Sequence, residues 1–222
     1  MKYIVEYSNR KTISLRIIDE DTVKVSAPYF IDNNRVESFV KSKERWVNSK
    51  INQIKSAKTK FYDVIYGNKL VVMGDYIEVF GDKNKVLQEK AGEYLPKRID
   101  CLSKLYNFKF NSVKIKNYKS KWGQCDSKGN ITLNVKLIML SSEVIDYVIL
   151  HELCHTVYLN HQSSFHKKLS SYFKNEKVLI KELKEYSILL KIQFWKIFKI
   201  ADIIAKYTNY YNKYAIFYLI FD

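Results

Sequence analysis

SSEVIDYVILHELCHTVYLNHQSSFH, residues 141–166, is the stretch whose reading decides the fold. It holds all four histidines of the 222-residue chain. Histidines scattered at random would not crowd so tightly, and His151, His155 and His161 have the spacing of metal ligands, with Glu152 beside the first. Residues four apart on an α-helix share a face, so the imidazoles of His151 and His155 can converge on one ion. Glu152, roughly 100° further round the helix, can point at a water on the open side of the metal. Neutral imidazole suits Zn2+, and three protein ligands leave one coordination position free. Zinc acidifies water towards a pKa of ~7, and a nearby carboxylate then accepts the proton as the water attacks. The string therefore predicts a zinc hydrolase site, provided a helix carries it.

The local sequence supplies that helix. Ser141, Ser142 and Glu143 offer an N-cap, and Val144, Val148, Leu150 and Leu153 follow at mostly helical spacing. Several β-branched residues weaken the propensity, but continuous apolar character suits a helix packed on several sides. The expected active helix covers residues 142–158. His161 would lie ~9 Å along the axis from His155 on a continuing helix, so it reaches the same ion only if the helix stops and the chain turns back. Asn160 is the candidate left-handed terminator. His161 is favoured as third ligand, with His166 its rival. Cys154 falls on another face of the helix and reads as a small packed residue.

Outward from this stretch, the chain divides into a strand-rich first part and a helical second part, an α+β pattern. Residues 3–7, 12–18 and 22–27 read as strands, with Asp19-Glu20-Asp21 turning between the last two. Residues 33–57 have the apolar period of a helix. A hairpin is expected around Gly74-Asp75, a turn at residues 81–84, a helix from 91 to 106, and strands at 112–116 and 130–134. The expected organisation is an N-terminal β-rich region with one helix over 1–95, a metal-site domain over 96–187, and an apolar extension over 188–222.

A second block, KSKWGQCDSKGNITLN at residues 119–134, accompanies the first. Together the two resemble the YgjP-like family of zinc metallopeptidase-fold proteins, related to the SprT-like zincins. Trp122, Gly123, Cys125, Asn134, Asp146, Tyr147, His151, Glu152, His155, Asn160, His161 and Phe165 match its pattern, while Gln124, Gln162 and His166 depart from it. The resemblance covers residues 1–185 and implies a zincin-like metallopeptidase domain behind the β-rich region. It also implies Zn2+ on His151, His155 and His161, Glu152 as catalytic base, and Trp122, Asn134 and Lys116 as substrate-binding residues. The family arginine ahead of the W-G segment corresponds to Lys116, which keeps the charge and loses the planar fork. Trp122 reads equally as a pocket wall or as a buttress of the helix. Residues 131–134 read equally as a core strand or as the edge that receives an extended peptide. The metzincin pattern shares the histidine spacing but has glycine where this chain has Tyr158, and a methionine turn that no methionine after Met139 can provide.

The net charge of +15 comes from 38 basic residues against 23 acidic ones. Only five of the basic residues are arginines, and the lysines are spread along the whole chain. A nucleic-acid surface clusters its charge and uses arginine, and no nucleic-acid-binding motif is present. Three cysteines without a C-x-x-C pair, and no signal peptide, point to a reducing cytoplasm. Residues 188–222 are apolar and aromatic, but lysines interrupt them too often for a transmembrane span. Packing on the body or on another subunit is favoured there over a peripheral helix on an anionic membrane. The expected function is a zinc-dependent metallopeptidase acting on a peptide or protein. A nucleoside triphosphate pyrophosphohydrolase using the same metal site is the alternative, and a purely structural zinc site is disfavoured because it has no use for Glu152.

Overall fold

The computed structural model describes residues 2–18 and 22–191. β-Branched residues recur through the first sheet, among them Ile4, Val5, Ile17, Val23 and Val25. Strands β1 (Lys2–Ser8), β2 (Ser14–Ile17) and β3 (Thr22–Pro28) lie in the order β1-β3-β2. The central β3 runs parallel to β1 and antiparallel to β2. Val23, Val25 and Ala27 of β3 point inward and have no exposed surface. Helix α1 (Asn33–Lys60) starts at Asp32, whose carboxylate accepts from the Arg35 amide at 2.7 Å. Val36 and Val40 of α1 pack with Val25 and Ala27, bordered by Val5, Tyr7, Ile13, Leu15 and Ile31. The expected strands and helix are present here, while the turn at Asp19-Glu20-Asp21 lies outside the described residues.

The described residues form two compact units that divide between Phe61 and Tyr62. The second unit begins with α2 (Tyr62–Ile65), the hairpin β4 (Lys69–Val72) and β5 (Asp75–Glu78), and α3 (Lys83–Leu105). Pairing of Val72 with Asp75 puts the hairpin turn at Met73-Gly74, one residue before the expected place. Both turn residues have positive φ, 53° and 89°, as a tight hairpin requires. Met73 is held in that costly conformation by its amide, which donates to the Ile138 carbonyl at 2.7 Å.

Helix α3 starts eight residues earlier than expected, because Asp82 caps it through the amides of Asn84 and Lys85. It also continues through Pro96, which sequence rules treat as a breaker. Lys83, the first residue of α3, is buried and donates to the carbonyls of Val64 and Gly67, tying the end of α2 to the start of α3. Burial holds its ammonium below the ordinary lysine range.

The third sheet positions the site. Strands β6 (Ser112–Lys116), β7 (Gly123–Cys125) and β8 (Asn130–Asn134) lie in the order β6-β8-β7, with β8 parallel to β6 and antiparallel to β7. This decides between the two readings of residues 131–134. Residues 131–133 are paired on both sides, as in a core strand; the edges among the described residues are β6 and β7, of which β7 lies against α4. A 3-10 helix (Val135–Met139) leads into α4 (Ser142–Cys154), α5 (Ser163–Ser170) and α6 (Glu176–Lys191).

Nine of the thirteen residues of α4 are buried, so this helix is enclosed on nearly every side. Its start is fixed by the Glu182 carboxylate of α6, which accepts from the Ser141 amide at 3.0 Å. On another face Asp146 accepts two bonds from Arg98 of α3, at 2.6 Å from Nε and 2.5 Å from Nη2. Tyr147 and Ser170 both donate to Glu176, joining α4, α5 and α6. The fully buried Lys136 donates to the carbonyls of Leu189 and Leu190 near the end of α6. Residues 188–191 of the apolar extension complete α6, and the remainder lies outside the described residues. Among the described residues no helix is long and apolar enough to cross a membrane.

Candidate metal centre and active site

His151 and Glu152 occupy the last turn of α4, and His155 caps it. The helix ends at Cys154, short of the expected residue 158, by tightening. The amides of His155, Thr156 and Val157 each bond three residues back, to Glu152, Leu153 and Cys154. This tight exit turns the chain and carries His161 back, so Asn160 is not needed as a left-handed terminator. Among the described residues only Met73 and Asn107 are non-glycine residues with positive φ.

Three ring nitrogens meet at this exit. His161 Nε2 lies 3.1 Å from His151 Nε2 and 3.2 Å from His155 Nε2. One ligand atom from each histidine falls within 4.8 Å of the other two. His155 Nδ1 lies 3.0 Å from the Tyr158 carbonyl, which can only accept, so Nδ1 carries the proton and Nε2 turns its lone pair to the cluster. Three nitrogens aimed at one another cannot satisfy each other's lone pairs; a cation between them can. Zn–N bonds of ~2.0–2.1 Å at tetrahedral angles put ligand nitrogens ~3.3 Å apart, close to the spacing observed. The residues present therefore fit a zinc ion. His166 stands outside the cluster, its ring centre 6.1 Å from that of His161.

Burial adds to the fit. The His151 imidazole is pushed down to about 4, first by desolvation and then by the neighbouring His155, His161 and His166, which keeps it neutral at pH 7. Phe165, fully buried on α5, forms the floor beneath all three rings. Its centre lies 4.9 Å from His151, 4.7 Å from His155 and 4.8 Å from His161. It was legible only as a motif position; nothing in residue spacing announced this role.

Glu152 is 6% exposed and lies against β7. A Cβ added at Gly123 would come 2.6 Å from Glu152 Oε1, so only glycine leaves room for the carboxylate. Burial raises the Glu152 carboxyl to about 7, against the opposing pull of the Lys121 ammonium. A carboxyl poised near neutrality in a dry wall suits proton transfer.

The remaining expected residues fall differently. Asn134 has no exposed surface, and its side chain accepts from the Lys136 amide and donates to the carbonyls of Tyr118 and Lys121. Its amide donates to the Trp122 carbonyl at 2.8 Å. It fixes the loop before β7 and presents no surface to a substrate. Trp122 is 9% exposed, which favours the buttress over the pocket wall. Lys116 ends β6, with β8 standing between it and β7. The cation that acts on Glu152 is Lys121, which the sequence reading passed over. Cys154 is fully buried and its thiol is raised to about 11 by desolvation, a packed and protonated group.

A family model described as YgjP-like, metallopeptidase domain, matches residues 11–85 and 83–186. Among solved structures, the metallopeptidase zymogen abylysin of Pyrococcus abyssi is similar at 22% identity and a TM-score of 0.38, over 45% of this chain and 98% of that one. No curated protein matches the chain.

Proposed function

The chain belongs to the YgjP-like metallopeptidase family, and from that premise we propose that it is a zinc-dependent peptidase in which His151, His155 and His161 hold the metal and Glu152 is the general base. The observation that carries this reading is the convergence of three imidazole nitrogens beside a buried carboxylate. Bound there, zinc would supply the Lewis acidity that polarises a carbonyl and acidifies water to ~7. Glu152 takes the proton of the attacking water and delivers it to the departing amine, a shuttle for which a carboxyl near neutrality is suited. Gly123 lets that carboxylate stand beside β7, and an extended peptide pairing with the edge of β7 would bring its backbone past Glu152. His155, oriented by the Tyr158 carbonyl, and Phe165, packed under all three rings, hold the ligands in place. Pyrophosphate release from nucleoside triphosphates at the same site is the second reading, supported by the Lys121 charge acting on Glu152.

The test uses the zinc-loaded full chain and its Glu152→Gln variant on an unstructured peptide mixture, read by mass spectrometry, and on nucleoside triphosphates, read as pyrophosphate. The expected result is peptide cleavage that falls by ~10²–10⁴-fold in the variant, with zinc content unchanged. Cleavage that persists in the variant removes Glu152 from the mechanism. Pyrophosphate release that vanishes in the variant, with peptides intact, replaces the peptidase by the nucleotide hydrolase.

A further inference from the structure

Lys121 stands two residues before β7, exposed at the lip of the site. Its backbone is not free to wander. Buried Asn134 donates to the carbonyls of Tyr118 at 2.9 Å and Lys121 at 2.7 Å, and its amide holds the Trp122 carbonyl at 2.8 Å. The Lys121 ammonium donates to Gln124 Oε1 and lies 4.8 Å from the centre of the Tyr118 ring. Both of these partners are neutral, so the contacts that hold the ammonium in position do not themselves cancel its charge. The surrounding segment has the same sign: residues 114–128 contain Lys114, Lys116, Lys119, Lys121 and Lys128 against a single acid, Asp126. That acid is already engaged, accepting from the amides of Lys128 and Asn130 and from the Asn130 side chain.

Strand geometry gives this charge a direction. Side chains alternate along β7, so Gln124 turns to the face opposite Gly123, which abuts Glu152. A peptide paired with the β7 edge likewise sends every second side chain to the Gln124 face. We infer that Lys121, pinned by Gln124 and Tyr118, is a specificity-determining residue that selects peptides carrying an aspartate or glutamate on the strand face turned away from α4. This inference rests on the peptide-binding reading of β7 but not on hydrolysis. An exposed pair contributes modestly, so the selection is about three- to tenfold and weakens with salt.

The experiment measures binding. Zinc-loaded full chain carrying Glu152→Gln is immobilised and offered equimolar peptide pairs that differ only as Glu against Gln at one position. The same is done with Lys121→Gln added, with Lys121→Glu added, and with Lys50→Gln, in the first unit, added as control for overall charge. The expected result is enrichment of the Glu members at alternate positions, lost with Lys121→Gln, reversed with Lys121→Glu and kept with Lys50→Gln. Absence of enrichment, or enrichment that survives Lys121→Gln, overturns the inference. If wild-type protein leaves the enriched peptides intact, the peptidase reading fails while the acidic subsite stands.

Discussion

Helices α1 and α4 solve opposite problems with opposite compositions. α1 runs for 28 residues and buries three side chains, Val36, Val40 and Val47, and none beyond Val47. α4 runs for 13 residues and buries nine, among them Glu152. Fully burying an aliphatic side chain contributes roughly 1.5–3 kcal/mol, so the short helix is held far more firmly than the long one. The difference teaches where this molecule needs rigidity. Ring nitrogens 3.1–3.2 Å apart tolerate little motion as a cluster, and those of His151 and His155 sit at the end of this heavily buried helix. The cost is a buried carboxylate, and that carboxylate is the group the proposed chemistry uses.

Native-state hydrogen exchange offers the largest test of this contrast. Residues 48–60 of α1 have no buried side chain, so their amides exchange by local fraying. Residues 148–151 of α4 open only with the unit as a whole. The expected ratio of exchange rates is at least ~10³, since local opening costs little and global unfolding about 5–15 kcal/mol. Equal rates would mean that burial does not set the rigidity of the site. The same contrast reappears in side-chain truncation. Phe165→Ala leaves a cavity under three histidines and is expected to cost ~3–5 kcal/mol in denaturant unfolding, with weakened zinc affinity. Trp46→Ala, on the exposed side of α1 at 48% exposure, is expected to cost under ~1 kcal/mol.

Gly123 sharpens the comparison within the site. Gly123→Ala puts a methyl 2.6 Å from Glu152 Oε1 and 2.8 Å from its Cγ, so the carboxylate must move. A displacement of that kind costs on the order of 10²-fold in turnover, with zinc content unchanged because no ligand is touched. If turnover is unaffected, the position of Glu152 against β7 is not the catalytic one.

The contrast between the helices also explains what the sequence could tell. Histidine spacing, the alternation of Val23, Val25 and Ala27, and the apolar run of α4 are local patterns, and each is where it was expected. Contacts that depend on distant segments were invisible. Arg98 meets Asp146 across 48 residues, Phe165 comes to lie under all three histidines, and the Lys121 charge is felt at Glu152. Strand order stayed open for the same reason. A strand reads alike at an edge or in the centre, so nothing in residues 130–134 announced that β6 and β7 flank them. The early start of α3 was hidden because residues 81–84 read as a turn, although Asp82 within them caps the helix.

The smallest expected effect tests the burial of the site through pH, and it depends on two groups pulling in opposite directions. In the metal-free protein, burial raises Glu152 from 4.5 to about 7, so between those values the folded state binds more protons than the unfolded state and stability falls as pH rises. His151 is lowered from 6.5 to about 4, so over that range the folded state binds fewer protons and stability rises with pH. His161, also lowered, adds to the rise. Between pH 4.5 and 6.5 the carboxyl and the histidines therefore oppose each other, and urea unfolding of the apo wild type is expected to vary little with pH. Glu152→Gln removes the falling contribution and leaves the histidines alone, so its stability should climb by on the order of 1–2 kcal/mol across the window. His151→Gln removes the largest rising contribution, and its stability should instead decline towards neutral pH. Parallel profiles for all three proteins would show that neither group feels its burial. Zinc abolishes the divergence in whichever variants still bind it, because the ion keeps the imidazoles unprotonated and offers the carboxylate an opposite charge.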